Sequence, residues 1–293
     1  MAVPTREVYW NISGYLWMYA LLVVLLIVMG WGVYRDLRLW RLGLAEKRGG
    51  SVGARLRTVG GQVLAQARLL RDHYSGPMHL MLSWGIVFLF LATVVVFIDT
   101  DLRIRIMYGA FYLYFQSLTV DIFGALATIG VIMAAWRRYV NRSPRLRHTV
   151  QDWVQPALLG VVFVTGFVIE GLRIAATQDP WGRWSPVGYL FSLALGGMSV
   201  PAMETLHRTL WWFHLFLAFT WLGLIPYTKS SHVLLAPANV YLTSLEPKGA
   251  LQPLFVEEAM EKGEALGAAE LTDFSWKDLL DLDVCTECGR CTE

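Results

Sequence analysis

The sequence is poor in charged residues and in cysteine. Only 16% of its 293 residues are charged, against roughly 25% in typical soluble domains, which argues against a freely soluble chain. All three cysteines lie near the C-terminus, so a disulfide framework that joins distant segments is excluded. No Cys-x-x-Cys-His motif occurs, which excludes covalent attachment of a c-type haem. No glycine-rich nucleotide motif or hydrolase arrangement is present, and we predict no nucleic-acid partner.

Apolar residues, by contrast, make up 55% of the chain. Crossing ~30 Å of hydrocarbon takes ~20 helical residues, and five stretches are long and apolar enough. The predicted spans 1 to 5 are Tyr15–Tyr34, Met78–Ile98, Phe111–Trp136, Pro156–Ala176 and Leu206–Tyr227. The apolar stretch Val187–Val200 is short for a span, so we predict a re-entrant or interfacial helix there. The expected fold is an all-α, polytopic membrane helix bundle.

Lysine and arginine concentrate in alternate loops. Residues 35–76 hold nine Lys/Arg against three Asp/Glu, and five arginines follow span 3 between residues 137 and 147. On the other side, only Arg103 and Arg105 follow span 2, and only Arg173, at the end of span 4, and Arg183 stand near the next loop. The positive-inside rule therefore predicts an N-terminus outside and a C-terminus in the cytoplasm of a cell inner membrane, with lipid around the spans.

The cysteines form the motif Cys-x2-Cys-x2-Cys at Cys285, Cys288 and Cys291. Bacterial ferredoxins use this spacing, followed by a fourth cysteine, to bind [4Fe–4S] clusters. We therefore predict a [4Fe–4S] site, in a longer protein that continues past Glu293 with the remaining ligand. Zinc is the alternative, but zinc sites usually pair two Cys-x2-Cys knuckles, and the sequence has no second one.

Histidines lie at or in spans 2 and 5, and ionisable residues in membrane helices tend to be functional. His79 begins span 2 and His232 follows span 5, so we predict that they are the axial ligands of a cytoplasmic b-type haem. His214 lies 18 positions before His232, or five turns of one continuous helix, which places both on one face ~27 Å apart. We predict that His214 binds a second haem, with His207 and His73 as weaker candidates. The alternative is that these histidines are interfacial or support the ligands.

The stretch from Phe213 to His232 resembles the last span of the respiratory nitrate reductase gamma subunit. Both histidines and the intervening turn at Pro226 match that family. The resemblance implies five spans, an N-terminus outside, and two b haems held between the second and fifth helices. His79 matches one ligand of the family's second helix. The other falls ten residues further on, where this chain has Leu89.

Three further segments resemble heterodisulfide-reductase-related membrane proteins. They are Gly-Pro-Met-His ending at His79, Gly-Phe-Val-Ile-Glu-Gly-Leu-Arg ending at Arg173, and the Trp-Lys to Cys-Thr-Glu-Cys-Gly-Arg-Cys junction that starts at Trp276. In those proteins a gamma-subunit-like cytochrome b domain precedes a ferredoxin-like domain. The resemblance therefore implies a cytochrome b domain over residues 1–235, an acidic linker over 236–280, and the start of a [4Fe–4S] domain over 281–293.

Glu170 and Arg173 stand at i, i+3 near the predicted outer end of span 4, so their side chains can face each other. A carboxylate there can exchange protons with a quinone, and an arginine can hold a quinone oxygen. The alternative is an interfacial ion pair, with the arginine extended towards the lipid headgroups.

Taken together, these features predict an oxidoreductase subunit of a respiratory chain. Electrons would pass between a cytoplasmic partner and membrane quinone, through the cluster and one or two b haems. The resemblance implies menaquinone or another quinone, and an electron-transfer flavoprotein or a reductase subunit as the partner. Two alternatives remain at this stage: a haem-bearing anchor whose catalysis is on other chains, and a transporter without redox cofactors.

Overall fold

The computed structural model describes residues 3–142, 146, 149–247, 255–261, 263 and 267–289. Helices dominate this part of the chain, and no strand occurs in it; a single isolated parallel bridge joins Leu44 and Ser275. The predicted all-α class is therefore confirmed.

Five of the helices are long and apolar enough to cross a membrane, as predicted. Spans 1 to 5 are Trp17–Trp40, Ser75–Thr100, Gly109–Val140, Val150–Thr177 and Val200–Tyr227. Each is longer than its predicted stretch. Span 4, for example, begins before the predicted Pro156, since Thr149 and Asp152 form a capping box in which the Thr149 N–H donates to Asp152 Oδ2 at 2.8 Å.

The remaining α-helices are short. They are Val52–Val59, Pro186–Leu195, His232–Tyr241, Val256–Glu261 and Trp276–Asp283. Pro186–Leu195 corresponds to the predicted short helix, and its 10 residues span only ~15 Å. Buried Asp121 of span 3 accepts hydrogen bonds from the N–H groups of Val187 (2.8 Å) and Gly188 (3.0 Å). This carboxylate satisfies the first turn of the short helix.

The chain forms two compact units, and each is discontinuous in sequence. The first comprises Met1–Leu25 and Leu69–Leu222, and the second comprises Leu26–Arg68 and Gly223–Glu293. The predicted division at residues 235 and 280 stays a prediction.

In the first unit, small residues let spans 2 and 3 approach closely. A Cβ added at Gly85 would stand 2.5 Å from Ala127 Cβ, so only glycine is accommodated there. Ala127, Val131 and Phe163 form the buried core, with leucine and isoleucine side chains of spans 2 and 4 packed around them. This agrees with the general use of small residues where membrane helices pack.

The predicted continuous helix from His214 to His232 is wrong. The helix that begins at Val200 ends at Leu224, two 3₁₀ turns follow, and a new helix begins at His232. The break coincides with Pro226, which has no N–H to donate and whose ring clashes with the preceding helical turn. The two histidines therefore do not share the face of one continuous helix.

In the second unit, the C-terminal helix is anchored through its side chains and backbone. Trp40 Nε1 donates to Asp283 Oδ2 at 2.5 Å, and Asn239 Nδ2 donates to Asp281 Oδ1 at 2.7 Å. Trp276 Nε1 donates to the Glu46 carbonyl at 2.9 Å. The helix that precedes the cysteines is thereby held against three other segments of this unit.

Candidate functional site

A cavity of about 320 Å³ lies within the first unit, between spans 2, 3, 4 and 5. This volume falls at the lower end of the ~300–1,000 Å³ typical of ligand sites. Most of its wall is apolar, and the polar groups gather towards the C-terminal end of span 4. Side chains on the apolar wall include Leu89, Phe163 and Phe167, and those at the polar end include Arg6, Asp121 and Glu170.

His214 lines this cavity and is held in a defined orientation. Its Nδ1 lies 3.0 Å from Thr165 Oγ1. The Thr165 hydroxyl also lies 2.7 Å and 3.0 Å from the carbonyls of Val161 and Val162, and these can only accept. Since the hydroxyl proton is used there, Thr165 accepts a hydrogen bond from the His214 Nδ1–H. The other ring nitrogen, Nε2, then keeps the lone pair that binds a metal.

Glu170 and Arg173 face each other, as their spacing predicts. Arg173 Nη2 lies 2.9 Å from Glu170 Oε1, and Arg6 Nη1 lies 3.1 Å from Glu170 Oε2. Arg173 Nη1 also pairs with Asp179 at 2.7 Å. The arginine side chain is only 9% exposed, so it is buried within this unit and does not extend to the surface. The pair is thus part of a network of four charges, with Arg6 contributed by the N-terminal segment.

His207 is buried, with 3% of its surface exposed. Its ring meets the Trp10 ring edge-on, with centroids 4.8 Å apart. Its Nδ1 has no hydrogen-bond partner among the residues that the structure describes. His207 does not line the cavity at His214, so the structure does not bring these two histidines to one site.

His73 is exposed in the turn before span 2. The neighbouring Asp72 accepts hydrogen bonds from the N–H groups of Ser75 (2.9 Å) and Tyr74 (3.1 Å) at the start of that span. The Ser75 N–H is the main cause that lowers the pKa of the Asp72 carboxyl to about 2. His79 is partly buried in the first turns of the same helix.

His232 belongs to the second unit and also has a defined tautomer. Its Nδ1 lies 2.6 Å from the Lys229 carbonyl oxygen, which can only accept, so Nδ1 carries the proton. Nε2 is again the nitrogen able to bind iron. His79 lies in the first unit, and its pairing with His232 stays a prediction.

The cysteine segment lies in the second unit. Cys285 and Cys288 are exposed, and the predicted third ligand, Cys291, lies outside the described residues. Glu287 and Gly289 adopt positive φ angles of 52° and 73°, as in a tight loop. Within the described ranges, no group of three His, Cys, Asp or Glu side chains is arranged to hold a metal ion. The cluster site stays a prediction.

Several cavity residues were missed by the sequence reasoning. Gln116 Oε1 and Trp221 Nε1 are buried and have no hydrogen-bond partner among the described residues, although both side chains line the cavity. Asp121 of the cavity wall and Thr165, which contacts His214, were also missed. Asp121 could have been identified as a carboxylate within a span; the other three residues carry no such signal.

Comparisons with known proteins agree with this architecture. The family model described as nitrate reductase gamma subunit matches residues 61–245. The EtfAB:quinone oxidoreductase of Syntrophomonas wolfei is 37% identical over 304 residues, covering 99% of this chain and 42% of that protein. The probable iron-sulfur-binding oxidoreductase FadF of Bacillus subtilis is 28% identical over 293 residues, covering 96% of this chain and 40% of that protein.

A shorter match is to a subunit of the dihydromethanophenazine:CoB–CoM heterodisulfide reductase of Methanosarcina barkeri. It is 26% identical over 180 residues, covering 60% of this chain and 61% of that protein. The chain thus spans about two fifths of the length of the first two relatives. No solved structure matches the chain. The resemblance predicted from the histidine-bearing spans is confirmed over more than half of the sequence, and the chain belongs to the nitrate reductase gamma subunit family.

Proposed function

We propose that this protein transfers electrons between membrane quinone and a cytoplasmic redox partner. The observation that carries the proposal is in the second unit, where one lysine connects the cysteine segment to the candidate haem ligand. Lys229 accepts a hydrogen bond from His232 Nδ1 through its carbonyl at 2.6 Å. Its Nζ pairs with Glu287, between Cys285 and Cys288, at 2.9 Å. The segment that would bind the cluster is thereby held beside the histidine that would bind haem.

The residues present fit these two groups. His232 has the Nδ1–H tautomer that leaves Nε2 for iron, and His79 is its proposed partner. Cys285 and Cys288 are exposed on a loop with tight backbone turns, and their thiols have the spacing that [4Fe–4S] clusters use. When bound, haem b and the cluster supply one-electron carriers. The chain's own residues would hold and orient these carriers.

The proposed quinone site is the charged end of the cavity in the first unit. Oxidation of a quinol releases two electrons and two protons, and reduction of the quinone takes up the same numbers. Glu170 lines the cavity, so its carboxylate is placed to exchange a proton with the substrate. Arg173 is the positioning residue, because it holds both Glu170 oxygens at 2.9 Å and 3.3 Å.

The proposed soluble partner is an electron-transfer flavoprotein, as the name of the Syntrophomonas wolfei relative suggests. The arginine-rich loops after spans 1 and 3 favour a cytoplasmic location for the C-terminus. This orientation would place the cysteine segment on the side where such a flavoprotein is found. The proposed quinone is menaquinone or another membrane quinone.

A reduced-minus-oxidised spectrum of the purified full-length protein tests the haem proposal. We expect a b-type absorption band that is diminished in His79→Ala and in His232→Ala. The band should be unchanged in the matched control His148→Ala, since His148 is not among the predicted haem ligands. A protein that folds but shows no b-type band would overturn the proposal.

The same preparation tests the cluster. We expect the protein to contain acid-labile sulfide and more iron than its haem accounts for, without stoichiometric zinc. Cys285→Ser should lose the sulfide and this additional iron and keep the haem iron. Zinc in place of iron would contradict the proposal. Reduction of a menaquinone analogue by reduced flavoprotein then tests the complete electron path.

A further inference from the structure

The cavity wall contains a buried hydrogen-bond acceptor that no described residue uses. Gln116 lines the cavity and is 6% exposed, and its Oε1 has no partner among the described residues. The two carboxylates of the wall are already engaged. Asp121 accepts from two backbone N–H groups, and Glu170 accepts from two arginines. A buried acceptor without a donor is costly, so Gln116 marks a place where a ligand can supply the donor.

The backbone of span 3 turns this acceptor towards the polar end of the cavity. Residues Tyr112–Thr119 form a π-helix, in which the Val120 N–H bonds back to the Phe115 carbonyl five residues earlier. This wider turn brings Gln116 and Asp121, which are also five residues apart, to one cavity wall. Helical turns of this kind are rare and frequently occur at functional sites. The local geometry therefore presents both polar side chains to a ligand.

The N-terminal segment adds a cation to the same end of the cavity. The Gly109 N–H donates to the Pro4 carbonyl at 2.7 Å, and the Thr5 hydroxyl donates to the Met107 carbonyl at 3.2 Å. These bonds hold Arg6, the next residue, beside the start of span 3. The polar end thus combines a guanidinium, two carboxylates and a free amide oxygen, whereas the rest of the wall is mainly apolar. Such a division suits a ligand with an oxygen-bearing headgroup and an apolar tail.

This polar end is separate from the histidine in the apolar part of the wall. Glu170 lies five residues beyond Thr165 in span 4, which is roughly 7.5 Å along the helix axis. Thr165 is the residue that contacts His214. A headgroup bound at Gln116 and Glu170 is therefore placed beyond the His214 ring.

Quinone and quinol differ in what they offer to an acceptor. The carbonyl oxygens of a quinone only accept hydrogen bonds, whereas the hydroxyls of a quinol also donate. Only the reduced form can therefore satisfy Gln116 Oε1. We propose that Gln116 accepts a hydrogen bond from a hydroxyl of the bound quinol and makes this site selective for quinol over quinone. The proposal rests on the proposed function, because it requires that a quinone binds in this cavity.

This selectivity has a consequence for the redox chemistry of the site. Tighter binding of the quinol makes the bound quinone easier to reduce. For a two-electron couple, each tenfold of selectivity raises the potential of the bound pair by about 30 mV. Gln116 is thus a positioning residue that also tunes the substrate, and Glu170 remains the residue placed to exchange the proton.

The test is isothermal titration calorimetry of the full-length protein, with menadiol added to the dithionite-reduced form and menadione added to the oxidised form. Gln116→Met keeps a similar volume and removes the amide oxygen. We expect it to weaken menadiol binding roughly tenfold and to leave menadione binding unchanged. Gln116→Glu keeps an acceptor and should retain tight menadiol binding. The matched control Gln151→Met, at an exposed glutamine of span 4, should change neither affinity.

A second measurement needs no variant and applies even where Gln116→Met does not fold. The dimethyl ether of menadiol keeps both ring oxygens but has no hydroxyl to donate. It should bind the reduced, unaltered protein roughly tenfold more weakly than menadiol does. Equal affinities of the ether and menadiol would overturn the proposal.

The remaining outcomes separate this proposal from the proposed function. If Gln116→Met weakened both redox forms equally, or neither, the selective hydrogen bond would be refuted while the quinone site remained. If neither menadiol nor menadione bound the unaltered protein, the quinone site itself would be refuted, and with it the proposed electron transfer to quinone.

Discussion

Replacing Arg173 with methionine tests how the buried charge network contributes to stability. Arg173 pairs with Asp179 at 2.7 Å and with Glu170 at 2.9 Å, and its side chain is 9% exposed. Without it, the Asp179 carboxylate, which is 6% exposed, keeps the hydrogen bond from the Trp181 N–H at 2.9 Å but loses its cation. Methionine fills a similar volume, so the variant removes the charge and leaves little empty space.

Breaking a buried ion pair by removing one partner costs roughly 3–5 kcal/mol. Glu170 keeps its ion pair with Arg6 at 3.1 Å and is 21% exposed. The loss of Arg173 is therefore partly compensated at this carboxylate. We therefore expect the lower end, about 3 kcal/mol. At about 2–4 °C per kcal/mol for a chain of this size, the Tm falls by roughly 6–12 °C.

The measurement is thermal unfolding in detergent, followed by tryptophan fluorescence. Adding Asp179→Asn to Arg173→Met removes the stranded charge, so the double variant should recover part of the loss. Arg208→Met is the matched control, because Arg208 is exposed and bonds to Asn11 Oδ1 at 2.8 Å; its effect should stay within about 0.5 kcal/mol. A Tm of Arg173→Met that is unchanged from the unaltered protein would refute the reasoning.

Three further predictions concern single contacts. The folded-state pKa of Asp72, about 2, lies below its unfolded value of ~3.9, so its carboxylate stabilises the fold above ~pH 4 and loses this effect as pH falls towards 2. Tm measured against pH should show this decline, and Asp72→Asn should abolish it. Asp72→Ala should also lose the hydrogen bonds to the start of span 2, which costs about 1 kcal/mol. Thr165→Val, unlike Thr165→Ser, should weaken haem retention at His214 by roughly 10–100-fold, as measured by transfer to apomyoglobin; equal retention would contradict the assigned tautomer. Lys229→Ala breaks the exposed ion pair with Glu287 and should change stability by less than about 1 kcal/mol. It should nevertheless slow electron transfer from cluster to haem, as measured by stopped-flow absorbance. The exchanged pair, Lys229→Glu with Glu287→Lys, should restore the rate.

The helices were the predictable part of the fold. Each span is a continuous apolar run, and the thickness of a bilayer makes such a run recognisable without a partner. The i, i+3 contact between Glu170 and Arg173 was also predictable, because helix geometry alone brings these two positions together. The ends of the helices were less predictable, because capping by residues such as Thr149 extends a helix past its apolar run.

The histidine arrangement shows where sequence reasoning failed. The 18-residue spacing of His214 and His232 indicated one helix face only on the assumption of an unbroken helix. The chain instead interrupts the helix at Pro226 and forms two 3₁₀ turns. Proline marks a break as a general rule, but its local effect depends on how the following residues find hydrogen-bond partners.

By itself, the sequence determined the helical class, the five spans and the residue types able to bind haem and cluster. Only the tertiary structure decided that Thr165 orients His214, that Arg6 joins Glu170, and that Leu89 lies in the same cavity wall. The physical reason is range: hydropathy and helical spacing act within a few turns, whereas a cavity is formed by side chains from helices that are distant in the chain and meet only when they pack.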